Sequence, residues 1–372
     1  MLFKKSDIRV IGIMSGTSLD GVDFVWVRVQ KKKSNLQVSY QKHKAASFPK
    51  ALRQELILAA SHQLKVDRLT ELHFELGRFY ASALKKASRG SKDQVDLIGL
   101  HGQTVYHRGG HATLQIGEPS FLAQTFSVPV ISNFRPCDIV GGGQGAPLAP
   151  YFHQVAFGKK GTRVAVHNLG GISNLTLVDG YDMIMGYDTG PANMPMDLYI
   201  QKKTKGRLRF DRGGEGARRG FINIGILQQG LKHSFYKKKA PKSCGREEFG
   251  EAWVKSLFAT HPKMNLEDGL ATLTEIVATS ISREYLAMKN KRPAEIIFCG
   301  GGSHNTYLIE RLRAQLPQIQ ILTSIEKGWP AQAIEGGAFA LLAATRAWDI
   351  KIDHQKTTGA KKPLLLGQVT QA

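Results

Sequence analysis

Ile8-Arg9-Val10-Ile11-Gly12-Ile13 runs into Met14-Ser15-Gly16-Thr17-Ser18-Leu19-Asp20-Gly21, and then into Val22-Asp23-Phe24-Val25-Trp26-Val27-Arg28-Val29. An apolar run, a cluster of turn formers and a second run rich in Val, Phe and Trp predict strand, turn, strand. The same shape returns later. Arg163-Val164-Ala165-Val166 leads into Asn168-Leu169-Gly170-Gly171-Ile172-Ser173-Asn174, and Leu175-Thr176-Leu177-Val178 follows. In each copy the loop glycine, Gly16 or Gly170, stands seven positions after an arginine, Arg9 or Arg163. Two related halves joined near residue 160 follow from that repetition.

Outward from these hairpins, strands alternate with helices. A third strand is expected over 36–47. Leu69, Leu72, Leu76, Phe79 and Leu84 recur at helical spacing and predict a helix over 67–86. Buried strands are expected at 95–100, ending at His101-Gly102-Gln103, and at 128–132. The second half adds a helix over 266–289, a strand over 295–299, the loop Gly300-Gly301-Gly302-Ser303, and helices over 307–316 and 332–347. The class is therefore α/β. The expected division is an N-terminal lobe over 1–160, a C-terminal lobe over 161–352, and a loose tail over 353–372.

With 372 residues, 42% of them hydrophobic, the chain has the material for two domains with sizeable cores. The apolar run at 8–13 is broken by Arg9 and enters a Gly-rich loop directly, unlike a signal peptide. No run approaches the roughly 20 apolar residues that span a bilayer. Cys137, Cys244 and Cys299 are far apart and form no C-x-x-C pair, which fits a reduced compartment. A cytoplasmic protein without membrane attachment is expected. The net charge of +21 would suit a nucleic-acid binder, but it is spread along the chain, with no nucleic-acid motif beside it. A solvated basic surface that attracts small anions is the preferred reading.

A hairpin tip of Gly and hydroxyl residues suits phosphate. Glycine permits close backbone approach, successive N–H groups form an anion nest, and hydroxyls add donors. Ser15-Gly16-Thr17-Ser18 and Gly170-Gly171-Ile172-Ser173 are two such tips, although an ordinary turn has the same composition. Neither G-x-x-x-x-G-K-[ST] nor a strand-to-helix G-x-G-x-x-G is present. Gly300-Gly301-Gly302, between a strand and a helix, suits backbone lying flat against adenine or ribose. Gly186-Tyr187-Asp188-Thr189-Gly190-Pro191 sets an acid in a rigid loop, so Asp188 is the candidate general base; a turn cap is the alternative. Asp197 reads as a cap or ion-pair member. His101, His107 and His111 match no zinc spacing and read as turn or surface residues.

These blocks together resemble the anhydro-N-acetylmuramic acid kinases of bacterial cell-wall recycling. The resemblance rests on 13–23, His101-Gly102-Gln103-Thr104-Val105, Thr113-Leu114-Gln115-Ile116-Gly117, Gly142-Gly143-Gln144-Gly145-Ala146-Pro147-Leu148, 168–174, 186–191, 240–247 and 299–303, in family order. It implies a two-lobed, actin-like (ribonuclease H-like) ATPase fold with a nucleotide cleft between the lobes. It also implies ATP, and Mg²⁺ by analogy with phosphoryl transfer generally. The metal ligands remain unassigned. The implied reaction opens the 1,6-anhydro bridge with water and phosphorylates the freed 6-oxygen, giving N-acetylmuramic acid 6-phosphate. By the same resemblance Asp188 activates the water and Glu335 helps to position water or sugar. Ser15, Gly16, Thr17, Ser18, Leu19, Asp20, Gly21, Val22, Asp23, Gly170, Gly171, Gly300, Gly301 and Gly302 take the nucleotide, and His101, Gln103, Arg135, Gln144 and Asn193 take the sugar. The 144–147 segment is expected to be helix-forming, and a homodimer is compatible with this reading. Asn133, Ala333 and Glu118 stand where the family pattern usually or often has Asp or another acid. Three alternatives stay open: a kinase for another amino sugar or anhydrosugar, a nucleotide-binding regulatory protein, and a nucleic-acid binder.

Overall fold

The computed structural model describes every residue except Met1, Thr17, Lys33, Ser34, 91–93 and Pro241. It divides into two compact units, one of Met1–Ala156 with Gln332–Ala372 and one of Phe157–Ala331.

The first unit is built on β1 (Asp7–Ser15), β2 (Gly21–Lys31), β3 (Leu36–Ser47), β4 (Leu97–Arg108), β5 (Ala112–Ile116), β6 (Val130–Ser132) and β12 (Gln368–Thr370). The sheet order is β12-β6-β4-β1-β2-β3, with β5 paired to β4. β1, β2 and β3 form an antiparallel meander, while β4 joins β1, and β6 joins β4, in parallel. On one face Leu72, Leu76, Tyr80 and Leu84 of the Val66–Ala87 helix are buried in one core with Ile11, Ile13, Phe24, Ile98 and Leu100. Each such leucine contributes about 1.5–3 kcal/mol by leaving water. The Ala333–Ala347 helix crosses the opposite face, where it meets glycines: a Cβ on Gly12 would overlap the Gly336 carbonyl, and one on Gly99 the Phe339 carbonyl.

In the second unit β7 (Lys159–Leu169), β8 (Ile172–Gly180), β9 (Asp182–Pro191), β10 (Glu295–Cys299) and β11 (Gln320–Thr323) take the order β11-β10-β7-β8-β9. An antiparallel meander again extends from the central strand, and two parallel strands lie on its other side. The repeated hairpin is thus the visible part of a repeated sheet, and the α/β expectation holds. The Leu266–Ala287 helix is buried on almost every side, with Leu270, Leu273, Ile276, Val277, Ile281 and Tyr285 in the core. Among the described residues no helix is long and apolar enough to cross a membrane.

Four local expectations need correction. The C-terminal helix, expected in the 161–352 lobe, belongs to the first unit, because the glycine contacts seat it on β1 and β4, and the tail belongs to that unit too. The tail is not loose: β12 pairs with β6, Ala360 and Leu366 are buried, and Thr358 Oγ1 donates to Asp138 at 2.7 Å. β4 does not stop at His101-Gly102-Gln103 but continues to Arg108, since β5 supplies a hairpin partner from Gln103 onward. Residues 144–147 form a loop, with the next helix at Ala149–Phe157, because Asp138 accepts from the Gly145 N–H and the Gln144 N–H goes to Thr358.

Gly12→Ala would force β1 and the last helix apart. Chemical denaturation should show a loss of about 3 kcal/mol, whereas the exposed Gly90→Ala, with nothing near its Cβ position, should cost only the strain of its φ of 75°, about 1 kcal/mol.

Candidate active-site elements

The first loop closes the β1–β2 hairpin. Side-chain amide nitrogen of Gln103 donates to the Gly16 carbonyl at 3.2 Å, and Arg53 Nε donates to the Leu19 carbonyl at 2.9 Å. An added Cβ on Gly16 would meet only Ser18 Oγ, at 4.0 Å, so a ligand has room to approach this backbone. Not every residue of the loop faces outward. Ser15 is buried, with its hydroxyl 2.6 Å from the Tyr80 hydroxyl and donating to the Gly102 carbonyl. Leu19 and Val22 face the core, a Cβ on Gly21 would strike the β3 backbone, and Asp23 lies 2.6 Å from His43 Nε2. Gly16, Ser18 and Asp20 are the residues this loop presents to a ligand, and Thr17 lies outside the described residues. The expectation that Ser15 offers its hydroxyl to a phosphate is therefore corrected: Tyr80 and Gly102 occupy it.

Further into the unit, Arg135 sits on the short Phe134–Val140 helix. Its Nε donates to His101 Nε2 at 3.0 Å and its Nη1 to the Gly145 carbonyl at 2.9 Å. His101 Nδ1 lies 2.7 Å from the Gly102 carbonyl, so Nδ1 carries the proton and Nε2 accepts. Burial and the neighbouring guanidinium hold this imidazole neutral, well below its ordinary pKa. His101 is thus a buried support for Arg135, not a turn or surface residue. Gln144 is exposed beside Gly109 and Gly110 at the β4–β5 turn. Glu335 opens the last helix with one side still exposed, while the protein packed around it strips enough water to push its carboxyl up. Arg135 opposes that shift and Asp23 adds to it.

In the second unit Gly170 and Gly171 cap the β7–β8 hairpin. Ala192, Asn193 and Met194 donate backbone N–H groups to the two glycine carbonyls at 2.9–3.2 Å, and Asn193 Nδ2 donates to the Leu169 carbonyl at 3.0 Å. The Asn193 amide therefore braces the loop. Parallel pairing sets Cys299 opposite Asn168, bringing 300–302 alongside the same loop. Gly300 has φ 77°, and Gly302 packs on Leu169, so both are required by the fold. Gly301 is exposed, and a Cβ there would meet only Asn193 Nδ2, at 3.9 Å, leaving backbone free for a ligand.

Asp188 lies within β9, not in a loop after it. Residues 242–244 run along the open edge of that strand: Asp188 N–H donates to the Lys242 carbonyl at 2.9 Å, and Cys244 N–H donates to Asp188 Oδ2 at 3.1 Å. Burial raises the Asp188 pKa, the Cys244 N–H lowers it, and the charge of Glu248 raises it. One carboxylate oxygen is fixed, and the carboxyl titrates above the usual range. Those are the attributes of a general base.

A family model for anhydro-N-acetylmuramic acid kinase matches residues 8–372. The chain is 34% identical to the anhydro-N-acetylmuramic acid kinase of Caldanaerobacter subterraneus subsp. tengcongensis, covering 99% of this chain and 98% of the relative. It is 36% identical to the enzyme of that name from Synechococcus elongatus, with 97% and 99% covered, and to that from Pasteurella multocida, with 98% and 97% covered. The chain belongs to the anhydro-N-acetylmuramic acid kinase family. Among solved structures, the activator of 2-hydroxyisocaproyl-CoA dehydratase from Clostridium difficile is 13% identical over 92% of this chain and 96% of that one, with a TM-score of 0.45.

Some residues that shape these elements in this family member escaped the sequence reading. Asp138 is buried and gathers the 141–145 turn through Gly145 and Thr358; a glycine run needs an acceptor for its N–H groups, and that need was the available signal. The support from Cys244 gave no signal, because it is a backbone group. Asp197 is neither a cap nor an ion-pair member among the described residues. It lies inside the Asn193–Lys203 helix, and burial pushes its carboxyl up to about 7 from an ordinary 3.8. Below pH 4 the carboxyl is largely neutral in folded and unfolded chains alike; from there to about pH 7 the unfolded chain ionises while the folded one stays protonated, so stability falls across that window and the full penalty stands above it. Asp197→Asn should therefore stabilise the protein at pH 8 by about 2 kcal/mol in urea melts, a gain that shrinks to near zero by pH 4.

Proposed function

We propose that this chain is an ATP-dependent kinase that opens the 1,6-anhydro bridge of anhydro-N-acetylmuramic acid with water and phosphorylates the freed 6-oxygen. Membership of the family supports the reaction. The observation that carries the assignment of roles is the Asp188 carboxylate on β9, held through Oδ2 by the Cys244 N–H and raised in pKa by burial.

In this reading Asp188 takes a proton from water as the water oxygen attacks the anomeric carbon. The bond from that carbon to the 6-oxygen breaks, and positive charge developing at the carbon is relieved by the incoming oxygen. The released 6-oxygen attacks the γ-phosphorus of ATP, and ADP leaves with the electrons of the bond to the β-phosphate oxygen. Glu335, also lifted in pKa, positions water or sugar, and Arg135, oriented by His101, contributes a fixed positive charge. Gln103 and Asn193 act through the loops they brace. The open backbone at Gly16 in one unit, and that at Gly171 and Gly301 in the other, each suits the close approach that a phosphate or nucleoside requires. Mg²⁺ would take most of its ligands from ATP oxygens and water, with Asp20 as the exposed carboxylate of the first loop. Cysteines held as thiols and a need for ATP are consistent with a cytoplasmic location.

The test is phosphate transfer from ATP to 1,6-anhydro-N-acetylmuramic acid. Asp188→Asn should lower kcat by about 10²–10⁴-fold; full activity in that variant removes Asp188 from the base role, and no product from the wild type sinks the substrate assignment. Because the base must be ionised, kcat/KM should fall as pH drops, with its acidic limb above the ordinary carboxylate range.

A further inference from the structure

Asp188 and Thr189 are neighbours in β9, yet the pairing with β8 skips Thr189: Asn174 stands opposite Asp188, and Ser173 opposite Gly190. Thr189 is the extra residue of a β-bulge, a feature that bends a strand, re-aims its side chains and interrupts the ladder of backbone hydrogen bonds. Gly190, with φ 138°, provides the backbone conformation that lets the strand resume.

The Thr189 side chain fills the interruption. Its Oγ1 donates to the Ser173 carbonyl at 3.2 Å and lies 2.7 Å from Ser173 Oγ. Ser173 Oγ is 2.5 Å from His167 Nε2, and His167 Nδ1 is 2.7 Å from the Tyr285 hydroxyl. All four residues are fully buried. Burial holds His167 neutral, near pKa 3. One arrangement of protons satisfies every contact: Tyr285 donates to His167 Nδ1, His167 Nε2 to Ser173 Oγ, Ser173 to Thr189 Oγ1, and Thr189 to the Ser173 carbonyl. The network thereby joins β7 just before the Gly170 loop, β8 just after it, β9 beside Asp188, and the Leu266–Ala287 helix.

We propose that Thr189 is a positioning residue, its hydroxyl closing the bulge and thereby fixing the direction in which the Asp188 carboxylate is presented to the attacking water. This rests on the reading of Asp188 as the base. The two side chains divide the labour: Thr189 turns into the buried chain, while the half-buried Asp188 meets the Cys244 N–H at the open edge of the strand. A carboxylate displaced by about 1 Å loses much of its effect on a proton in flight, a loss of order 10²-fold. A buried hydroxyl network that served stability alone would leave turnover unchanged once the protein was folded.

Thr189→Val keeps the volume and removes the hydroxyl; Thr189→Ser keeps the hydroxyl. In the assay with ATP and 1,6-anhydro-N-acetylmuramic acid, Thr189→Val should lower kcat about 10–100-fold with KM for ATP within about twofold of wild type, and Thr189→Ser should recover most of the loss. In an Asp188→Asn background Thr189→Val should have almost no further effect, because residues that act as one unit are not additive. Wild-type kcat in Thr189→Val, no recovery with Ser, or the same loss with and without Asp188 would each overturn the proposal. Should Thr189→Val fail to fold, Ser173→Ala removes the partner hydroxyl and carries the same expectation, and unchanged kcat there overturns it equally. The two readings fail separately: an active Asp188→Asn removes the base, whereas an inactive Asp188→Asn beside an unimpaired Thr189→Val removes only the positioning role.

Discussion

Parallel pairing of β7 with β10, with Asn168 opposite Cys299, is the constraint on which the second unit's chemistry depends. Two parallel strands end at the same edge of a sheet, so whatever follows each of them emerges side by side. Here those followers are Gly170-Gly171 and Gly300-Gly301-Gly302. The pairing brings them within packing distance, because a side chain on Gly302 would meet Leu169 and Asn193. In the first unit β1 and β4 repeat the relation, and Gln103 on β4 reaches the Gly16 carbonyl just after β1. Loops beyond the carboxyl ends of parallel strands are where open α/β sheets place ligands. The antiparallel hairpin on the other side of each central strand adds a short tip that glycine keeps open.

Such tips need support, since exposed glycine-rich backbone is entropically costly to order. The support comes from donors and acceptors that are themselves held. Asn193 clamps Leu169, Gln103 clamps Gly16, and Asp138 gathers the turn at Gly145. Arg135 is the most constrained of these groups. A buried guanidinium is tolerable only when its donors are satisfied and a counter-charge is near. His101, the Gly145 carbonyl, and the charges of Glu335 and Asp138 meet that need together. A neutral acceptor at His101 orients the arginine without cancelling its charge, which leaves that charge for Glu335 or a ligand.

The hairpins, the long helices and the α/β class were legible because their signals are local: period, turn composition and strand propensity. The 67–86 expectation differs from the Val66–Ala87 helix by a residue at each end. What failed was non-local. Nothing near Gly12 in sequence says that the last helix will lie across it, so that helix was assigned to the wrong unit. The tail reads as loose for its Lys, Thr and Gly, yet Thr358 is buried on Asp138, 220 positions away, and Leu364 lies against Gly141. Gly186 to Pro191 reads as a loop by composition; it is strand because β8 on one side and 242–244 on the other satisfy its backbone. Ser15 reads as a phosphate donor until Tyr80 takes its hydroxyl.

The two candidate catalytic carboxyls show why burial and support must be combined. Burial alone would raise each pKa until the group stayed protonated and could accept nothing. Hydrogen bonds and cations alone would depress it and leave a weak base. Asp188 is lifted by burial and checked by the Cys244 backbone N–H; Glu335 is lifted by burial and checked by Arg135. The choice of check differs in consequence. A backbone N–H binds one oxygen in a fixed direction and carries no net charge, so it leaves the second oxygen basic and aimed. A guanidinium lowers the affinity of the whole carboxyl for a proton and favours holding over proton transfer. The contrast fits the base role proposed for Asp188 and the positioning role proposed for Glu335.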